Sequence, residues 1–328
     1  METIKQDLKN GQLKQIYFFL GEEVYLSDYY INTIKSKTVQ AEEFNFFKID
    51  SERLEFFQDA VFSSPMMSEK KLVVFKGIDF STEIKDGDVS YIEEIISDIP
   101  FYTHIIFACR EISKKTSKIY KLLTDKCIVC EFKKQGAPEI LRWIANVVKA
   151  NGMEITKEAA ELMMQYAGYD MNTLKNEIDK CCSFCLKEGI ITEDTIKEIV
   201  TRNIESKTFD LLDAVMDTQK EKALKIFAGL EKDEEEPVMI NGALAKTLMG
   251  VLEYKVLKNS GQSPSAISSK MGLKPFTQKK YTRYAEKLSE KFLQKMINRC
   301  SEFDISFKTG AINGYTGLNI LICEMMER

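Results

Sequence analysis

Apolar positions in the first 135 residues fall into short runs separated by amphipathic stretches. Runs of strand length stand at 16–20 (IYFFL), 44–49 (FNFFKI), 72–75 (LVVF), 103–108 (THIIFA) and 128–132 (IVCEF). Helical periodicity lies between them, at 26–37, 53–62, 91–98 and 118–123. Strand–helix–strand alternation predicts a parallel sheet with helices on both faces, and an uninterrupted run such as LVVF suits a strand buried on both sides.

The pattern changes after Gln135-Gly136-Ala137-Pro138. No comparable strand run follows, and Pro138 suits the first turn of a helix that Asn151-Gly152 ends. Helices are predicted at 157–166, 171–186 and 192–202, with Thr156, Asp170 and Thr192 as N-caps. A third block carries helices at 209–217, 220–231, 238–259, 264–271, 279–287, 289–309 and 318–327. The expected fold class is therefore α/β plus all-α, divided into an α/β domain over 1–136 and helical domains over 137–205 and 206–328. The acidic stretch 232–237 reads as a solvated loop.

Composition narrows the functional classes. The chain has 328 residues, 44% hydrophobic and 29% charged, and no apolar run approaches membrane-span length. Its N-terminus lacks an apolar signal region, so a cytoplasmic location is expected, with the eight cysteines as reduced thiols. Net charge is −4, but 246–299 holds twelve Lys/Arg against three acidic residues. Such asymmetry points to an anionic partner near the C-terminal end.

An α/β domain of this type invites a phosphate-binding loop after its first strand, with glycines, a Lys and a Ser/Thr. Here the chain reads Gly21-Glu22-Glu23-Val24-Tyr25-Leu26, which places carboxylates where phosphate would approach, and 72–75 runs into Lys76-Gly77 rather than into a metal-holding acid. ATP hydrolysis, and any nucleotide cofactor, is not expected. The pairs Cys127/Cys130 and Cys182/Cys185 have C-x-x-C spacing, but an offset of three on a strand sends side chains to opposite faces, and the second pair is mid-helix. Buried free thiols are expected. His104, the single histidine, reads as a core residue. No catalytic constellation stands out, which favours an interaction or assembly role.

Two stretches remain. In 263–284 (SPSAISSKMGLKPFTQKKYTRY), Ile267, Met271 and Leu273 have helical spacing around Gly272, as in a helix-turn-helix. Lys270, Lys274, Lys279, Lys280 and Arg283 there could neutralise phosphates, with Phe276, Tyr281 and Tyr284 available to pack or stack. Arg110, Lys114, Lys115 and Lys118 form a smaller basic cluster. The other stretch is Pro65-Met66-Met67, adjacent methionines framed by Ser63-Ser64 and Ser68-Glu69-Lys70-Lys71. Apolar residues in a polar frame are candidates for insertion into a partner's pocket. A helix-turn-helix DNA-binding regulatory or architectural protein is the alternative reading.

The order of these features resembles the delta subunit family of the bacterial DNA polymerase III clamp loader. The pieces that carry the resemblance are YFFLGEE at 17–23, PMMSEKKLVV at 65–74, LKNEIDK at 174–180 and GLKPF at 272–276. It implies an AAA+-like first domain without ATP binding, a helical lid and a helical collar. It also implies a non-catalytic subunit of a DNA polymerase (nucleotidyltransferase) holoenzyme. The implied partners are the β sliding clamp, the gamma/tau and delta-prime subunits, and primed DNA. The family's clamp-binding wedge falls on Pro65, Met66 and Met67, where the family more often places Leu or Phe. The basic residues implied for DNA are Lys114, Lys115, Lys270, Lys274, Lys279, Lys280 and Arg283.

Overall fold

The computed structural model describes residues 2–76, 84–111 and 114–327. They form two compact units, Met1–Gly136 and Ala137–Arg328.

In the first unit the elements run α1 (Glu2–Asn10), β1 (Ile16–Leu20), α2 (Val24–Thr38), a single helical turn α3 (Glu42–Asn45), β2 (Phe46–Ile49), a 3-10 stretch (Ser51–Phe56), α4 (Phe57–Phe62), β3 (Lys71–Lys76), α5 (Asp86–Ser97), β4 (Thr103–Cys109), α6 (Lys118–Lys126) and β5 (Ile128–Glu131). The five strands pair in the order β2-β3-β4-β1-β5, every neighbour parallel. Alternate side chains build two cores. Phe18, Val73, Phe75, Ile105 and Phe107 pack with α4, α5 and α6; Tyr17, Phe19, Leu72, Val74 and Ile106 pack with α1 and α2. Each fully buried Val, Leu, Ile or Phe contributes roughly 1.5–3 kcal/mol relative to exposure. This double burial is why LVVF carries no polar alternation.

Several elements differ from the sequence pattern: α1 is absent from it, α5 starts at Asp86 rather than 91, α6 runs to Lys126 rather than 123, and two stretches before β3 change type. Residues 44 and 45 leave the predicted strand for α3, because the Asn45 side chain bonds back to the Gln40 and Ala41 carbonyls. Residues 51–56 adopt a 3-10 turn before α4, with Asp50 accepting from the Arg53 N–H.

The second unit is helical apart from a two-residue parallel pair, Glu154–Ile155 with Ile190–Ile191. Helices α7 (Ala137–Ala150), α8 (Lys157–Ala167), α9 (Met171–Phe184) and α10 (Glu193–Ile199) surround one core. Thr156, Asp170 and Thr192 accept the N–H groups of Ala159, Thr173 and Thr195, as N-caps do. Helices α11 (Ile204–Met216), α12 (Lys220–Lys232), α13 (Pro237–Asn259), α14 (Pro264–Met271), α15 (Pro275–Lys287), α16 (Glu290–Lys308) and α17 (Gly314–Met326) build another. Helix α11 starts five residues before its predicted start because Asn203 caps it through the Ser206 N–H. Among the described residues no helix is long and apolar enough to cross a membrane.

Gly21 follows β1 with φ +145°, and a Cβ there would lie 2.1 Å from the Phe132 carbonyl oxygen. Gly21→Ala should therefore destabilise the chain by more than about 1 kcal/mol, read as a lowered urea midpoint. Gly87→Ala, where no atom lies within 4 Å of the added carbon, should leave the midpoint unchanged or raise it.

Candidate functional site

The segment between α4 and β3 holds Met66 and Met67 out of the fold. Their exposures are 55% and 84%, against complete burial of the adjoining Leu72 and Val73. Hydrogen bonds hold the segment at both ends. At its start, the Tyr102 hydroxyl donates to the Phe62 carbonyl (3.0 Å) and the Thr103 hydroxyl to the Val61 carbonyl (2.9 Å). The Lys71 ammonium donates to the Ser63 carbonyl (2.8 Å) and hydroxyl (2.6 Å). A cation is favoured there, since the last carbonyls of α4 lack helical partners. Lys71 is buried with its Nζ 4.8 Å from the Phe47 ring centroid, and burial lowers its pKa to about 8. Further along, the Ser68 hydroxyl donates to the Lys70 carbonyl and accepts the Gln40 N–H. Pro65 is half-buried beside the pair.

Because β3 and β4 run parallel from Lys71 and Thr103, this segment lies at the amino-terminal edge of the sheet. Ligands of open α/β sheets ordinarily bind at the carboxyl edge. At that edge the loop after β1 is occupied by its own backbone. The Gly21 N–H donates to the Cys109 carbonyl (3.1 Å) and the Glu23 N–H to the Phe132 carbonyl (2.9 Å). Amides that could cradle a phosphate are thus taken up in holding the loop to the sheet. Glu22 stands 3.8 Å from the Lys134 ammonium. At the end of β3, Lys76 pairs with Asp28 at 2.6 Å; Gly77 lies outside the described residues.

Cys127 and Cys130 fall in the two opposite cores of the sheet. Cys182 and Cys185 are buried among the helices of the second unit. Burial pushes the Cys127 and Cys181 thiols up to about 12, far from the thiolate that binds metal. No group of three or more His, Cys, Asp or Glu among the described residues is arranged to hold a metal. His104 is buried with Nδ1 2.9 Å from the Lys14 carbonyl, and burial lowers its pKa.

The basic stretch folds as two helices, α14 and α15, joined at Gly272 in the left-handed conformation (φ +63°). Much of its charge is paired with carboxylates of the same unit. Lys280 pairs with Asp213, and Arg283 reaches Asp213 at 2.7 Å and Asp217 at 2.6 Å. Lys287 adds 2.9 Å to Asp217. The Tyr284 hydroxyl lies 2.9 Å from Asp213, and the rings of Tyr281 and Tyr284 are buried. Lys274 sits 5.1 Å from the Tyr169 ring centroid. Lys270, Lys279, Lys114 and Lys115 are exposed. A recognition helix presents its basic side to the groove; α15 instead directs Lys280, Arg283 and Lys287 to Asp213 of α11 and to Asp217 at its C-terminal end. The signal for this was present in the sequence, since Asp213 and Asp217 are spaced one helical turn apart.

The architecture is that of a five-stranded parallel-sheet unit followed by a helical unit. Residues 17–133 match the family model described as DNA polymerase III, delta subunit, and residues 205–325 match the C-terminal domain of the same subunit. The DNA polymerase III subunit delta of Bacillus subtilis (strain 168) is 26% identical over 98% of this chain and 96% of its own length. A probable subunit delta from Aquifex aeolicus (strain VF5) is 21% identical over 89% of this chain and 85% of its own. A solved DNA clamp loader delta protein of B. subtilis superimposes with a TM-score of 0.71 at 25% identity, covering 100% of this chain and 99% of that one. The chain belongs to the family of DNA polymerase III delta subunits, the clamp-loader deltas of DNA replication.

The paired charges predict a pH dependence. Lys287 and Arg283 hold the Asp217 carboxyl down at about 2, whereas in an unfolded chain it titrates near ~4. A depressed carboxylate stabilises fully above the unfolded value and loses that contribution as pH falls through the folded one. Melting temperature should therefore drop between about pH 4 and pH 2, and Asp217→Asn should make that drop shallower.

Proposed function

We propose that this chain is the subunit through which its clamp loader grips a β sliding clamp. Met66 and Met67 are the apolar plug, and the chain itself hydrolyses no ATP. The observation that carries the reading is the adjacent pair held outward at 55% and 84% exposure on a hydrogen-bonded segment. Full burial of a methionine contributes roughly 1.5–3 kcal/mol, enough for two to anchor a transient interface. A partner that fits only an opened clamp interface shifts the clamp's population by its differential affinity, without chemistry of its own. The occupied amides of Gly21 and Glu23 support the absence of nucleotide binding.

In this reading residues 1–136 carry the clamp-binding element, 137–205 form a lid, and 206–328 form a collar that joins the gamma/tau and delta-prime subunits of a cytoplasmic DNA polymerase III holoenzyme. Of the basic residues read as contacting primed DNA, Lys114, Lys115, Lys270 and Lys279 are exposed. Lys274 would have to leave Tyr169, and Lys280 and Arg283 would have to leave Asp213 and Asp217, to join them.

Titrating the purified chain against the cognate β clamp tests the plug. Met66→Ala/Met67→Ala should weaken binding roughly 100-fold, about 2.7 kcal/mol, with helical content unchanged; undiminished affinity would remove the assignment. The isolated chain should give no ATP-binding isotherm at millimolar nucleotide. Tight binding there would overturn the reading of the loop after β1.

A further inference from the structure

We infer that Asn45 is the positioning residue of the Met66–Met67 plug, an assignment that rests on the clamp-binding reading above. Asn45 is completely buried although polar. Its side-chain amide meets Met66 on both backbone groups: Nδ2 donates to the Met66 carbonyl (2.7 Å), and Oδ1 accepts the Met66 N–H (2.9 Å). The same Nδ2 donates to the Gln40 carbonyl (2.7 Å) and lies 3.2 Å from the Ala41 carbonyl. One amide thus joins the turn after α2 to the segment before β3, and it satisfies the backbone of both.

The joined backbones are unusual. Among the described residues, only Ala41, Met67, Thr218 and Glu234 have positive φ without being glycine, and two of these flank the Asn45 bonds, Ala41 at +47° and Met67 at +53°. Side chains in that region persist where the surroundings over-determine them. Packing does little of this for the methionine segment. A cleft of about 530 Å³ opens behind its far end, lined by Ser68, Glu69 and Lys70 across from Lys37, Val39 and Gln40. Hydrogen bonds hold the segment there, and Asn45 makes those that reach Met66. Fixing the backbone beforehand leaves less freedom to be lost when the plug enters its pocket.

The test is clamp titration of the full chain in a double-mutant cycle. Asn45→Ala should weaken clamp binding at least tenfold, about 1.4 kcal/mol, while the chain remains folded by circular dichroism. In a Met66→Ala/Met67→Ala background the same substitution should cost less than threefold, because its effect passes through the plug. A residue that only stabilises the fold would lower affinity equally in both backgrounds, and that result overturns the inference. If Asn45→Ala does not fold, Asn45→Asp keeps the shape and the acceptor but loses the donors, and the same cycle is run with it. Clamp affinity indifferent to Asn45 but lost in Met66→Ala/Met67→Ala would sink this inference and leave the proposed function standing. Indifference to the methionines as well would remove both.

Discussion

The in-register pairing of β3 with β4 at the centre of the sheet is the constraint on which the rest of the first unit depends. Leu72 lies against His104 and Phe75 against Phe107, and both faces of the pair are buried. A strand held on four sides cannot slide or flip, since a one-residue slip would send every side chain to the wrong core. Whatever enters the strand is therefore delivered at a fixed place. The segment from Ser63 to Lys70 enters there, and its start is tied to the strand through Lys71 and to β4 through Tyr102 and Thr103.

From that constraint follows a division of labour between the two edges of the sheet. At the carboxyl edge the chain closes on itself: Gly21 approaches the Phe132 backbone so closely that no side chain fits, and the amides of the loop are bonded to strand carbonyls. At the amino edge the chain opens, and two methionines stand in solvent on a segment hydrogen-bonded to the fold at Ser63, Met66 and Ser68. A sheet of a type that usually serves ligands at one edge presents an apolar surface at the other. The reader proposed for that surface is a protein rather than a nucleotide.

The helical unit shows how misleading a count of charges becomes without partners. Twelve basic residues in 246–299 suggested a broad cationic surface. Three of them, Lys280, Arg283 and Lys287, form a compact network with Asp213 and Asp217. The Tyr284 hydroxyl completes that network from inside the core. The exposed basic residues, Lys246, Lys270, Lys279, Lys287, Lys291 and Lys295, are spread over four helices rather than along one face of α15.

Much of this was legible in the chain itself. Apolar runs located the five strands, most clearly the central β1, β3 and β4, which are buried on both faces. Thr156, Asp170 and Thr192 announced their helices because capping is a local bond between near neighbours. The polar frame around Met66 and Met67 marked them as candidates for a partner's pocket, and both are exposed. What the tertiary structure alone decided are the bonds between segments far apart in sequence. Asn45 read as a strand residue, and only folding brings it to Met66, twenty-one positions away. Lys71 read as part of a polar frame, yet it is buried as the cap of α4. Lys280 and Arg283 read as phosphate ligands, yet they meet carboxylates about seventy residues earlier. Hydrophobic periodicity records which face of an element is buried, but not which polar group waits across the fold.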